Sequence, residues 1–156
     1  MRIPDADAVL RRIRANFDGH CHDGGALAES HDPVIYTDPA LYAAEIAALF
    51  RSGPQFVGHA SQLARPGDFL THEVAGASVI VARGADGVLH AHLNACPHRG
   101  ARVERAECGN KRRFSCPFHA WTFGLDGKLD SVTDRPAFDD LPPGLVPVAV
   151  AERHGL

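Results

Sequence analysis

The stretch Ala95-Cys96-Pro97-His98-Arg99-Gly100-Ala101, followed further on by Ser115-Cys116-Pro117-Phe118-His119-Ala120-Trp121, decides the fold. It holds a Cys-x-His and a Cys-x-x-His, with seventeen residues between the inner donors His98 and Cys116. Both cysteines precede a proline, which biases them toward extended backbone and removes an amide donor, so each pair belongs at a loop tip. Gly100 gives the first loop freedom to turn. Working outward, residues 68–74, 78–83 and 88–93 are short and β-favouring, and Gly84-Ala85-Asp86-Gly87 supplies a turn between the last two. Residues 113–116 and 121–125 flank the second loop, Asp126-Gly127 turns the chain back through 128–132, and a last strand is expected at 145–151 after Pro142-Pro143-Gly144. A further strand is expected at 56–60. Many short strands with Gly and Pro turns predict a mainly β fold, an antiparallel sandwich with the two loops at one end.

The donor set narrows the chemistry. Each loop carries one thiol and one imidazole, the division required where two histidines replace two cysteines on one iron of a [2Fe–2S] cluster, as in a Rieske centre. Two ferric ions, two sulfides, two thiolates and two neutral imidazoles sum to about zero formal charge, whereas four thiolates leave about minus two. The less negative cluster accepts an electron more readily, at roughly −150 to +300 mV against about −400 mV for plant-type ferredoxins. Cys96, His98, Cys116 and His119 are therefore the expected cluster and metal ligands, with one-electron transfer as the chemistry and no catalytic residue proper. A zinc-stabilised interaction module is the alternative from another class, although zinc modules usually open on a Cys-x₂₋₄-Cys pair.

Bulk properties exclude other classes. The 156 residues, 45% hydrophobic, suit one main domain with room for a helical appendage. A net charge of −3 argues for neither nucleic acid nor an anionic membrane surface. No apolar run approaches the ~20 residues that span a bilayer, and Met1-Arg2-Ile3-Pro4-Asp5 lacks a secretory hydrophobic stretch. Cys21 and Cys108 lie outside the loops, and Ala101 and Phe118 cannot form a disulfide between them. Four cysteines with two committed to metal fit a reduced, cytoplasmic setting.

Ahead of the strands, Val9, Leu10, Ile13 and Phe17 fall at helical spacing within 5–17, interleaved with Arg11, Arg12 and Arg14, which predicts an amphipathic helix. Residues 18–33 are rich in Gly, His and Asp and read as loop. The cluster His20-Cys21-His22-Asp23 inside it is read as a solvated segment, because a metal site needs fixed geometry. Asp38 as N-cap and Pro39 at the first helical position open a second helix to residue 50. The expected organisation is a helical leader over 1–52 and a cluster domain over 53–156, with the cluster loops at about 94–121.

Further segments carry a family resemblance. Arg65-Pro66-Gly67-Asp68, Leu93-Asn94-Ala95, His98-Arg99-Gly100-Ala101, Gly109-Asn110, Trp121-Thr122-Phe123, Asp126-Gly127-Lys128-Leu129 and Glu152-Arg153-His154-Gly155 resemble the N-terminal part of the large (alpha) subunit of Rieske non-haem iron ring-hydroxylating oxygenases. The helical leader with Leu41, Tyr42 and Glu45 is similar as well. The resemblance departs in the second loop, where the family most often has Tyr and Gly and this chain has Phe118 and Ala120.

The resemblance implies a Rieske-type antiparallel β-sandwich with a small cluster-binding subdomain, preceded by helices. It also implies an electron-transfer module that takes electrons from a ferredoxin or reductase and relays them to a mononuclear Fe(II), with the far ring nitrogens of His98 and His119 as candidates for coupled protonation. That second iron, held by two histidines and a carboxylate, belongs to a catalytic domain of the oxygenase, in the same or a neighbouring subunit. His59, His72, His90, His92 and His154 do not rebuild its ligand set, so the chain reads as a piece of a larger dioxygenase or monooxygenase of the kind used in aromatic hydrocarbon catabolism. A stand-alone Rieske electron carrier is the other reading within this class. Arg99, Arg102, Arg105, Lys111, Arg112 and Arg113 form either a docking surface for an acidic partner or a solvated rim neutralised by Glu104 and Glu107.

Overall fold

The computed structural model describes residues 5–19, 30–133 and 140–156. The His20–Asp23 cluster lies outside them. Two compact units divide between Asp38 and Pro39.

The first unit holds helix α1 (Ala6–Asp18) and a 3₁₀ turn (Pro33–Tyr36). Asp5 caps α1 by accepting from the Asp7 amide, and Asp32 does the same for Val34. The amphipathic pattern expected for 5–17 is present as a helix, yet none of its residues is buried.

The second unit begins with α2 (Pro39–Glu45), which runs into a π-helical turn (Ile46–Phe50) closed by the Arg51 amide on the Ile46 carbonyl. The Arg51 guanidinium donates to the carbonyl of Ala75 in the turn between the first two strands, 3.4 Å away. This contact and the side chain of Gln55, which donates to the carbonyl of Leu49, tie the second helix to the β domain. The compact division accordingly falls at 38/39, ahead of the boundary read at 52/53.

β1 (Asp68–Val74), β2 (Ala77–Arg83) and β3 (Leu89–Leu93) form the predicted meander. The pairs Phe69↔Ala82, Val81↔Ala91 and their neighbours set an antiparallel register. β4 (Cys108–Asn110) adds to the free edge of β1, and β8 (Pro147–Val148) to that of β3, giving the order β4-β1-β2-β3-β8. A second sheet holds β5 (Phe114–Ser115), β6 (Thr122–Phe123) and β7 (Leu129–Ser131). The expectation of a strand at 56–60 is corrected. That stretch is irregular, with Phe56 exposed, and His59 caps a 3₁₀ turn (Ala60–Leu63) through its ring nitrogen and the Gln62 side chain.

Alternation along the strands builds two cores. On β1 and β2, Phe69, Ile80 and Ala82 point to one face of the large sheet, while Leu70 and Val81 point to the other. The first face joins Phe114, Trp121 and Phe123 of the small-sheet region, and the Phe69 and Phe114 rings meet edge to face at 5.4 Å. Burying each such ring contributes about 1.5–3 kcal/mol. Cys96 and Cys116 sit in this same core, so the packing that joins the sheets also brings the two loops together.

Candidate metal centre

The first loop leaves β3 and the second joins β5 to β6, and their backbones close in the same way. The Cys96 amide donates to Ala101 and the Gly100 amide to Cys96; the Cys116 amide donates to Trp121 and the Ala120 amide to Cys116, all at 2.7–2.9 Å. Each loop therefore has its fifth residue in the left-handed region, Gly100 at φ 71° and Ala120 at φ 57°. Glycine adopts this conformation freely, whereas alanine there costs about 1–2 kcal/mol. The departure noted at Ala120 in the sequence is thus a strained residue beside His119.

The loops rest on different supports. Asn94, buried at the entrance of the first, accepts from the amides of Val103 and Glu104 and donates to the Glu104 carbonyl at 2.7 Å, so one side chain clasps entrance to exit. The Glu104 carboxylate accepts from the Arg105 and Ala106 amides and pairs with Lys111. Burial alone would raise the pKa of Glu104; Lys111 and the two amides outweigh it and hold the carboxyl below its ordinary range. The second loop is closed by the β5–β6 ladder, by the hydroxyls of Ser115 and Thr122 at 3.3 Å, and by Thr133 donating to the His119 carbonyl. Against the turn between β6 and β7 lies His92, buried and with its pKa lowered by that burial. Its ring would lie 2.1 Å from a Cβ at Gly127, which the turn holds at φ 78°.

The four predicted ligands come together. The His98 and His119 rings lie 4.8 Å apart, centroid to centroid, at 57°. Trp121 stacks parallel to His98 at 4.8 Å and 5°, and Phe118 covers His119 at 4.0 Å. Both thiols are buried and reduced. Burial pushes the Cys96 thiol up and neighbouring Cys116 adds to that, while the amides of His98 and Arg99 favour its thiolate. Burial, then His119 and Arg99, lowers the pKa of His98, which keeps the imidazole neutral and able to ligate.

His119 Nδ1 is buried and has no hydrogen-bond partner. A buried polar nitrogen without a partner costs about 1–3 kcal/mol, so a metal–nitrogen bond is a fitting use of this atom. Among the described residues, no three or more His, Cys, Asp and Glu side chains surround a single-ion site. The two thiols come one from each loop and so do the two imidazoles, the like-with-like division that a two-iron Rieske cluster requires.

The other histidines stay apart. His59 bonds Ser61, His90 approaches Asp86 at 3.4 Å, His92 is buried against the turn at Gly127, and His72 and His154 are exposed. Of the basic residues, Arg102 pairs with Glu73 at 2.6 Å, Arg113 with Asp130 at 3.1 Å and Lys111 with Glu104. Half of that set is therefore neutralised, while Arg99, Arg105 and Arg112 are exposed. Sequence reasoning did not assign roles to Asn94 or Trp121, and it read Glu104 only as a neutraliser of the basic rim, not as a buried cap on the Arg105 and Ala106 amides. A short polar residue at the mouth of the loop, and the chain's single tryptophan next to a ligand segment, were the available signals.

Two paired Cys/His loops on a small antiparallel sheet packed against a larger one define a domain for an iron–sulfur cluster. The Rieske [2Fe–2S] domain family matches residues 53–146, and the chain belongs to that family. It is 38% identical over 132 residues to the carnitine monooxygenase oxygenase subunit of Acinetobacter baumannii, covering 83% of this chain and 36% of that protein. It is 41% identical over 101 residues to the biphenyl 2,3-dioxygenase subunit alpha of Rhodococcus jostii, covering 65% and 22%. The apo quaternary ammonium Rieske monooxygenase CntA superposes with a TM-score of 0.75 at 35% identity, over 83% of this chain and 38% of that one. A naphthalene 1,2-dioxygenase structure superposes at 0.71 and 34%, over 78% and 29%. The chain thus spans about a third or less of the length of these relatives. No helix among the described residues is long and apolar enough to cross a membrane.

Proposed function

We propose that this chain is the electron-transfer module of a Rieske-type oxygenase. Cys96 and Cys116 would hold one iron and His98 and His119 the other. Bound there, the cluster supplies storage and release of one electron at a time. The observation that carries the reading is the convergence of the two loops, with the His98 and His119 rings 4.8 Å apart and His119 Nδ1 buried and unpartnered. The protein's own work is positional. Asn94 and the β5–β6 ladder hold the loops, Trp121 orients His98, and the shared core excludes water from the thiols. Arg99, exposed beside His98, and Arg105 further along the same connection would meet an acidic ferredoxin or reductase, and complementary charge would speed that encounter.

Electrons would then pass to a mononuclear iron supplied by sequence outside these 156 residues, in the same or a neighbouring subunit. The relatives are named for aromatic and for quaternary ammonium substrates, and the choice between such substrates would rest with that other region. Anaerobic purification followed by iron, sulfide and zinc analysis tests the assignment. Two irons and two sulfides per chain, with a visible spectrum that bleaches on reduction, are expected; one zinc and no sulfide would refute it. Stopped-flow reduction by a ferredoxin and its reductase, slowing as salt is raised, tests the docking role.

A further inference from the structure

We propose that Phe118 is a positioning residue for His119. The four rings Trp121, His98, His119 and Phe118 follow one another with centroid separations of 4.8, 4.8 and 4.0 Å. Trp121, at one end, is fixed in the core and only 3% exposed. Phe118, at the other end, is 58% exposed and has no place in either core. An apolar ring left in water at a loop tip contributes little to folding, and this one lies against the His119 ring.

The placement solves a local problem. His119 follows Phe118 and precedes Ala120, both exposed, yet its Nδ1 is buried. The His98 and Phe118 rings both lie close to the His119 ring, at 4.8 and 4.0 Å, so the phenyl ring narrows the range of χ2 angles open to the imidazole and shields it from water. Both aromatic supports come from the second loop, although the histidines come one from each. His98 is therefore oriented by a buried ring, and His119 by an exposed one whose removal leaves the cores untouched.

This inference rests on His119 being a cluster ligand. Its test uses the full chain with its cluster, comparing Phe118→Ala, Phe118→Leu and Phe118→Tyr with the native protein. An aromatic contact of about 0.5–1.5 kcal/mol corresponds to roughly a two- to tenfold change in rate, so Phe118→Ala is expected to lose iron to a chelator roughly two- to tenfold faster. The oxidised centre is near neutral and the reduced one carries an added negative charge, so water admitted beside His119 should move the reduction potential upward. Phe118→Tyr, which keeps the ring, should restore both readouts, whereas Phe118→Leu should not. Thermal unfolding of the four apoproteins should coincide, since the ring belongs to no core.

Phe118→Ala matching the native protein in both iron loss and potential would overturn the proposal, and so would full rescue by leucine, which would reduce the ring to mere bulk. A native protein that holds no two-iron cluster would instead overturn the ligand assignment itself, a result visible before any variant is made.

Discussion

The two ligand loops share a backbone and differ in nearly everything that supports it. In each, the cysteine amide and carbonyl bond the sixth and fifth residues, and the fifth residue is left-handed. The first loop spans a long connection between β3 and β4, with no ladder across its mouth, and Asn94 does the work of two strand residues from a single side chain. The second is the tip of a hairpin whose ladder already closes it. Its histidine comes one position later than in the first, and both aromatic rings of the site belong to it. The geometry at the ligands is thus a property of the turn, and different local chemistries suffice to hold that turn.

The largest expected effect tests what the loops share. Cys96→Ala and Cys116→Ala should each abolish the cluster, so that iron and sulfide both fall to background; a variant that retains two irons would show that its thiol is not a ligand. Next comes the difference in closure. Asn94→Ala strands two buried amides and a carbonyl and should cost roughly 3 kcal/mol in denaturant unfolding, whereas Ser115→Ala in the second loop should cost below about 1 kcal/mol. Equal costs would break the contrast.

The fifth position sharpens it further. Gly100→Ala has open space around it but a positive φ, so a loss of about 1 kcal/mol is expected. Ala120→Gly removes strain and should gain about 0.5–1 kcal/mol, measured as a shift in urea midpoint; a loss would show that Ala120 sits there without strain.

The smallest effect is acid sensitivity at the exit of the first loop. Glu104 has its folded pKa below its ordinary value, so its contribution to stability is complete above about pH 4.3 and is lost as pH falls through the lower folded value. Glu104→Gln should remove that component. An unfolding curve whose slope against pH between 5 and 3 is the same in the variant and the native protein would show that Glu104 is not the group responsible.

Much of this was legible in the amino acids. Cys-Pro pairs, Asp-Gly and Gly-x-x-Gly turns, and alternating runs such as Ser78-Val79-Ile80-Val81-Ala82 act locally, and the meander, both hairpin flanks and the ligand loops follow from them. The errors have a common cause. β4, spelled Cys108-Gly109-Asn110, has no β-forming residue and becomes a strand because β1 presents it with a free edge. Residues 56–60 have strand-like residues but no such partner, and His59 and Gln62 bond the backbone into a 3₁₀ turn instead. The left-handed Ala120 is invisible to propensity, which opposes it; the surrounding hydrogen bonds impose it.

By itself the sequence named the candidate donors, two thiols and two imidazoles on Pro-marked loops, because donor chemistry and turn chemistry are properties of residues and their nearest neighbours. Only the tertiary structure decided that the loops face one another, that Asn94 clasps the first, and that Trp121 and Phe118 bracket the two histidines. Those are relations between side chains separated along the chain, and they arise when Phe69, Phe114 and Phe123 bury against each other and draw the two sheets, with both cysteines, into one core.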